Sequence, residues 1–136
     1  MMAGGVLVDS NVLLDILEED PHWFSWSAER LAAAAEQYPL IINPIIYAEV
    51  SIGFERIEEL EAVLPLASFE RRQLPWEAAF LAGKCFLAYR RAGGERRFPL
   101  PDFFIGAHAA VDGLVLLTRD AGRYRTYFPR LQLIAP

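Results

Sequence analysis

Four carboxylates stand in apolar sequence, where a charge is costly: Asp9, Glu49, Asp102 and Asp120. Asp9 ends the run Gly5-Val6-Leu7-Val8, and Asp120 follows Leu114-Val115-Leu116-Leu117-Thr118-Arg119. Asp102 opens Pro101-Asp102-Phe103-Phe104-Ile105-Gly106-Ala107, and Glu49 lies inside Ile45-Ile46-Tyr47-Ala48-Glu49-Val50. Carboxylates in such surroundings need compensation, and a shared divalent cation is the usual one. Each acid also has a plainer reading. Asp9 suits the N-cap of a helix opening at Asn11. Asp102 falls in the first turn of its helix, where the macrodipole and free amides stabilise a carboxylate without further function. Asp120 reads equally as a turn residue. Glu49 is the most informative of the four. On a helix its neighbours three and four residues away are Ile45, Ile46, Ile52 and Gly53, so it projects from the apolar face. A glutamate there is neutral, paired with a buried arginine, or bound to a metal. The remaining acids, Asp15, Glu18 to Asp20 and Glu55 to Glu61, read as solvated helix faces.

Other ligating groups are scarce. His108 lies on the apolar helix six residues beyond Asp102 and reads as a hydrogen-bonded core residue; His22, beside Trp23, Phe24 and Trp26, reads as a surface or interface residue. The single cysteine, Cys85, excludes an intrachain disulfide and a cysteine-based zinc site, and reads as a small core residue. An oxygen-only donor set points to Mg²⁺ or Mn²⁺.

Alternating strand and helix signals supply the frame. Short apolar runs at Val6–Val8, Leu40–Ile42, Ala67–Phe69, Leu114–Thr118 and Leu131–Ile134 read as strands. Helices are expected from Asn11 to about Glu19, Ser25 to Gln37, Pro44 to about Gly53, Glu55 to Leu64, Pro75 to Ala92 and Pro101 to Val111. Asn43-Pro44 supplies an N-cap followed by proline at the first helical position, and Gly93-Gly94 stops the long helix before an arginine-bearing loop over 95–100. Short apolar strands separated by helices indicate an α/β chain whose parallel sheet is covered on both faces. In such sheets ligands bind beyond the carboxyl ends of the strands, where Asp9 and Asp120 both fall.

At 136 residues the chain is long enough for one domain with a substantial core. Its 54% hydrophobic content and mean hydropathy of +0.20 are high, yet no stretch approaches the roughly 18 apolar residues of a membrane span. The surplus suggests an oligomer or a permanent partner, with Trp23-Phe24-Ser25-Trp26 as one place for it. Met1 to Val8 lack a basic region and cleavage site, so no signal peptide is expected, and a reducing cytoplasm fits the lone cysteine. Net charge is −5, unevenly distributed: residues 1–66 carry twelve acids against two bases, residues 67–136 six against eleven. Ten of those eleven bases are arginine, the side chain best shaped for bidentate phosphate contact. A general charge-driven nucleic-acid binder is disfavoured; a nucleic-acid substrate is not.

Together, Val6-Leu7-Val8-Asp9-Ser10-Asn11, Ile46-Tyr47-Ala48-Glu49, Leu100-Pro101-Asp102-Phe103-Phe104-Ile105-Gly106-Ala107-His108-Ala109 and Leu117-Thr118-Arg119-Asp120 resemble the PIN-domain nucleases, and most nearly the VapC toxins of toxin–antitoxin pairs. The resemblance covers essentially the whole chain. It implies a single PIN domain over 1–136, with a three-layer α/β/α fold and a short central parallel sheet flanked by helices. It also implies a four-acid Mg²⁺ site, in which Asp9, Glu49 and Asp102 match the most constant acids and Asp120 a more variable fourth. Ser10, Asn11 and Thr118 match polar positions that shape the site. A homodimer, a VapB-like antitoxin and an RNA substrate are implied as well. Phosphodiester hydrolysis needs an activated water and a neutralised phosphate, and divalent metal serves both needs. On this reading Asp9 and Asp102 bind metal directly, while Glu49 and Asp120 act through water, position the nucleophile or hold a second ion. Arg96, Arg97, Arg119 and Arg123 are candidate RNA contacts, with a solvated surface or a salt bridge to an antitoxin as the alternative.

Two other readings compete. A phosphatase of haloacid-dehalogenase type would use Asp9 as nucleophile, but it expects a second aspartate where Asn11 stands and a well-placed lysine, whereas Lys84 sits in mid-helix. A PIN-like binding module without activity is the other, and retention of all four acids argues against it.

Overall fold

A computed structural model describes residues 4–93 and 100–136. Five parallel strands form one sheet: β1 (Val6–Val8), β2 (Leu40–Ile42), β3 (Glu70–Arg71), β4 (Val115–Leu117) and β5 (Leu133–Ile134), in the order β3-β2-β1-β4-β5. Seven helices among the described residues cover it: α1 (Ser10–Leu17), α2 (Phe24–Gln37), α3 (Pro44–Ser51), α4 (Ile57–Val63), α5 (Trp76–Arg91), α6 (Leu100–Asp112) and α7 (Ala121–Tyr127). This is the three-layer α/β/α arrangement expected of short, wholly apolar strands. Every residue of β1, β2 and β4 is buried, so both sheet faces must be covered.

Register decides what meets at the carboxyl edge. Val8 pairs with Leu117, and the Asp9 amide donates to the Leu117 carbonyl at 2.9 Å. Residues just after β1 and just after β4 are thereby neighbours. Helix α6 is buried through its middle, with Phe103, Ile105, Ala107 and His108 inaccessible to solvent, and it packs along α5. Gly106 has no side chain for a reason: a Cβ there would run into the ring of Phe128, the residue that ends α7. The close approach of α6 and α7 brings Asp102 and the start of α7 to one place.

The third strand falls later than the run Ala67–Phe69 suggests. The amides of Ser68 and Phe69 both donate to the Pro65 carbonyl, folding 65–69 into a turn, and Glu70 and Arg71 pair with Ile41 and Ile42 instead. A charged pair suits this edge strand, whose outer side is unpaired. Helix α7 lies where the sequence reading places no element. Gly122, Arg123, Arg125 and Thr126 dilute its apolar pattern, and only Tyr124, Tyr127 and Phe128 mark its inward face.

Candidate metal centre

Helix α1 opens with Asp9 at its N-cap position, yet the Asp9 side chain makes no capping bond. The same is true of Asp120 before α7, whereas Asn43 caps α3 by accepting from the Ile46 amide at 2.9 Å. The plainer role thus falls to the asparagine, and the two aspartates turn elsewhere.

Asp9 is 3% exposed. Its Oδ2 accepts from Thr118 Oγ1 at 2.8 Å, from the Tyr124 hydroxyl at 2.9 Å and from Asn11 Nδ2 at 3.4 Å. Thr118 Oγ1 in turn accepts from Asn11 Nδ2 at 3.3 Å and from the Asp120 amide at 3.0 Å, while Asn11 Oδ1 accepts from the Arg119 amide at 3.2 Å. This network ties one carboxylate oxygen; Oδ1 has a long contact from Ser10 Oγ, 3.5 Å away, and the Ser10 amide also bonds the carboxylate. The Ser10 hydroxyl donates to Glu49 Oε1 at 2.9 Å instead, joining α1 to α3. Asp102, in the first turn of α6, accepts from Arg123 Nη1 at 2.6 Å, and Arg123 Nε bonds Asp120 Oδ2 at 2.9 Å.

The carboxylates raise one another's cost. Burial pushes Asp9 up to about 6 from 3.8, against its hydrogen bonds from Thr118 and Tyr124, and the Asp102 charge adds to the rise. Glu49 is raised by burial first, then by Asp102 and Asp9 despite the Ser10 bond. Asp102 is also raised, because burial outweighs the Arg123 guanidinium. The Tyr124 hydroxyl is driven well above 10 by burial and then by the Asp9 and Asp102 charges, so it stays a donor.

Asp9, Ser10, Asn11, Glu49, Asp102, Arg119, Asp120, Arg123, Tyr124 and Trp23 line one pocket of about 450 Å³ at the carboxyl edge of β1 and β4. All four expected acids therefore meet there, with Thr118 fully buried beneath Asp9. Arg96 and Arg97 lie outside the described residues. Arg119 lines the pocket, but its guanidinium is committed: Nε and Nη2 bond the two oxygens of Asp15 at 3.0 and 2.9 Å, and it stacks 5.5 Å from the Trp23 ring. Arg123 is likewise engaged by acids of its own chain.

Asp15 is no solvated face: it is 2% exposed, held by Arg119 and by Ser27 Oγ at 2.8 Å. Asp20 accepts from the His22 and Trp23 amides and turns the chain into α2. Ile52 is 86% exposed because α3 ends at Ser51, so Glu49 stands at the border of the apolar face that Ile46 and Val50 define. His108 is the hydrogen-bonded core residue expected. Asn43 Oδ1 is used by the Ile46 amide, so Asn43 Nδ2 donates to His108 Nδ1 at 3.0 Å and Nε2–H donates to Asp112. Tyr124 is the site residue the sequence reading lacks. Its only signal is its spacing to Tyr127 and Phe128 on a helix that went unread.

An oxygen-only donor set in which Asp9, Glu49 and Asp102 resist ionisation suits a hard divalent cation, whose charge would relieve the repulsion among these acids. Among the described residues no three acids converge into a closed metal cage. The cation that neutralises Asp102 and Asp120 in this structure is Arg123.

A parallel α/β domain with a carboxylate pocket at its strand ends is the class that fold and site define. The chain belongs to the PIN domain family, whose model matches residues 6–129. No curated protein matches it in sequence. Among solved structures it is similar to a chain of VapBC2 from Rickettsia felis bound to a fragment of promoter DNA, at 19% identity and TM-score 0.72, covering 96% of this chain and 98% of that one. It is similar to DNA-bound VapBC from Salmonella typhimurium at 21% identity and TM-score 0.71, covering 98% of both chains. FitAcB from Neisseria gonorrhoeae aligns at 18% identity and TM-score 0.71, over 95% of this chain and 96% of that one.

Proposed function

We propose that this chain is a metal-dependent endoribonuclease of the VapC type, a single domain over 1–136 acting in the cytoplasm. The observation that carries the reading is the convergence of Asp9, Glu49, Asp102 and Asp120 from four separate segments on one pocket, with neither Asp9 nor Asp120 used as a cap. Family membership supports nuclease chemistry.

Asp9 and Asp102 would hold Mg²⁺ or Mn²⁺ directly, with Glu49 and Asp120 acting through water or on a second ion. When bound, the ion supplies Lewis acidity and lowers the pKa of water beside the phosphodiester. The chain's own groups do the rest. Thr118, Tyr124 and Asn11 fix Asp9 Oδ2, and with it the plane of a carboxylate that lines the pocket. The Ser10 hydroxyl orients Glu49, which stands half-buried and takes up a proton more readily than an exposed glutamate, as positioning the attacking water requires. Water adds at phosphorus, the P–O bond to one ribose oxygen breaks, and that oxygen leaves protonated.

The structural neighbours are toxin–antitoxin complexes by title, which supports a VapB-like antitoxin as partner. Exposed apolar side chains offer contact area for it and for a homodimer, notably Phe24 and Leu17 near α2 and Trp76 and Phe80 on α5. Trp23 and Trp26 are less available, since they pack edge to face at 6.0 Å. Among the described residues no helix is long and apolar enough to cross a membrane.

The test is an RNase assay on the purified chain with Mg²⁺, with Asp9→Asn and Asp102→Asn as controls. Cleavage in Mg²⁺, lost in EDTA and in both variants, is expected. Cleavage that persists in both variants or in excess EDTA would overturn the reading. Intact RNA in every condition, with tight antitoxin binding, would favour an inactive binding module.

A further inference from the structure

Arg123 occupies an unusual place for a substrate-binding arginine. Its Nη1 lies 2.6 Å from Asp102 Oδ2 and its Nε lies 2.9 Å from Asp120 Oδ2, so one guanidinium bridges two of the four pocket acids. The helix beneath it is pinned on both sides. Tyr124 is buried and bonded to Asp9, and Phe128 closes on Gly106, so the α7 backbone holds its position while the Arg123 side chain, 39% exposed, keeps a route to solvent. Among the described residues, the other charged side chains lining this pocket are Asp9, Glu49 and Arg119, and Arg119 is spent on Asp15. Arg123 is therefore the counter-charge of this half of the pocket.

We propose that Arg123 is a built-in competitor of the divalent ion: it holds Asp102 and Asp120 together while the pocket is empty of metal, and its side chain must swing out before those acids can ligate. The inference rests on the metal-site reading above and adds a residue that sets the metal threshold. A site whose binding-competent form is a fraction of the population binds with an apparent Kd raised by that fraction. Two partly exposed ion pairs that share one guanidinium make a ratio of closed to open near ten reasonable, so removing the arginine tightens metal binding about tenfold. The arginine also steadies the empty pocket, so the same change lowers the melting temperature without metal.

Mn²⁺ alone is the probe, titrated calorimetrically into the wild-type chain, Arg123→Gln, Arg123→Lys and Asp9→Asn. The expected result is about tenfold tighter Mn²⁺ binding by Arg123→Gln, with a melting temperature below wild type in EDTA and equal to it in saturating Mn²⁺. Arg123→Lys separates a bridge from a simple field effect. An ammonium keeps the charge but lacks the planar fork that spans two carboxylates, so tightening in this variant too supports the bridge. Wild-type affinity in Arg123→Lys would reduce the role to net charge and overturn it. Unchanged or weaker binding by Arg123→Gln would also overturn it. Failure of the underlying site is a different result: wild type then binds no Mn²⁺, or Asp9→Asn binds it equally well, and both readings fall together.

Discussion

Replacing Asp9 by asparagine should stabilise the metal-free fold at neutral pH. Asp9 is 3% exposed and its carboxyl sits at about 6 in the folded chain against 3.8 as the reference. The folded state therefore binds this proton more tightly than the unfolded state does. Between about pH 4 and pH 6 the folded chain carries more protons, so stability falls as pH rises through that window. At about 1.4 kcal/mol per pH unit the full loss is roughly 3 kcal/mol. Asparagine mimics the protonated acid: its carbonyl can still accept from Thr118, Tyr124 and Asn11, and its amide nitrogen faces the Ser10 hydroxyl. With an unfolding entropy of roughly 2.1 cal/mol/K per residue over 136 residues, 3 kcal/mol corresponds to a melting-temperature gain on the order of 10 °C above pH 7. The assay is thermal unfolding of both proteins in EDTA from pH 4 to pH 8. His108, whose pKa burial lowers, gives an opposite slope, but it is common to both proteins and cancels in the difference. The two curves should converge near pH 4 and separate as pH rises. Equal stabilities at pH 7.5, or a variant less stable at every pH, would refute the claim that the site strains the fold through Asp9.

Tyr124→Phe keeps the buried ring and deletes one donor to Asp9 Oδ2; it should cost about 1–3 kcal/mol in the ionised form, raise the Asp9 pKa further and move the acidic limb of the pH–rate profile upward. An unchanged profile would show that the hydroxyl does not act through Asp9. Asp15→Ala should destabilise by about 3 kcal/mol, the low end for breaking a buried pair, because Arg119 is one-third exposed and can be rehydrated while buried Ser27 loses its acceptor. Urea unfolding measures it, and a loss under about 1 kcal/mol would mean the strut between α1, α2 and the Thr118-Arg119-Asp120 turn is dispensable.

What the sequence discloses follows from how local each signal is. Strands β1, β2 and β4 are legible because residues buried on both faces must be apolar throughout, and the Asn43-Pro44 cap is legible because its chemistry is complete within four residues. The four acids stand out because apolar neighbours make a charge conspicuous. Asp15 does not, since a lone aspartate on a helix has an ordinary solvated reading, and its partner Arg119 is 104 residues away. Tyr124 is hidden for a related reason: a tyrosine among arginines says nothing until α7 is known to bring it against Asp9. Glu49 lines the pocket for a reason only partly visible in the sequence. Ile46 and Val50 do bury its helix, but Ile52 does not, and Glu49 reaches the pocket from the edge of the apolar face.

The site's asymmetry gives the arrangement its chemical sense. A carboxylate at the end of a buried strand would satisfy itself with the free amides of the following helix if nothing prevented it. Here the Val8–Leu117 register sets Thr118 beside Asp9, and Thr118, Tyr124 and Asn11 all donate to the same oxygen. Three donors on Oδ2 fix the plane of the carboxylate, and burial with the Asp102 charge makes its ionisation harder all the same. A carboxylate that resists ionisation despite three donors on one oxygen gains most from an external cation, and Arg123 supplies one only to Asp102 and Asp120.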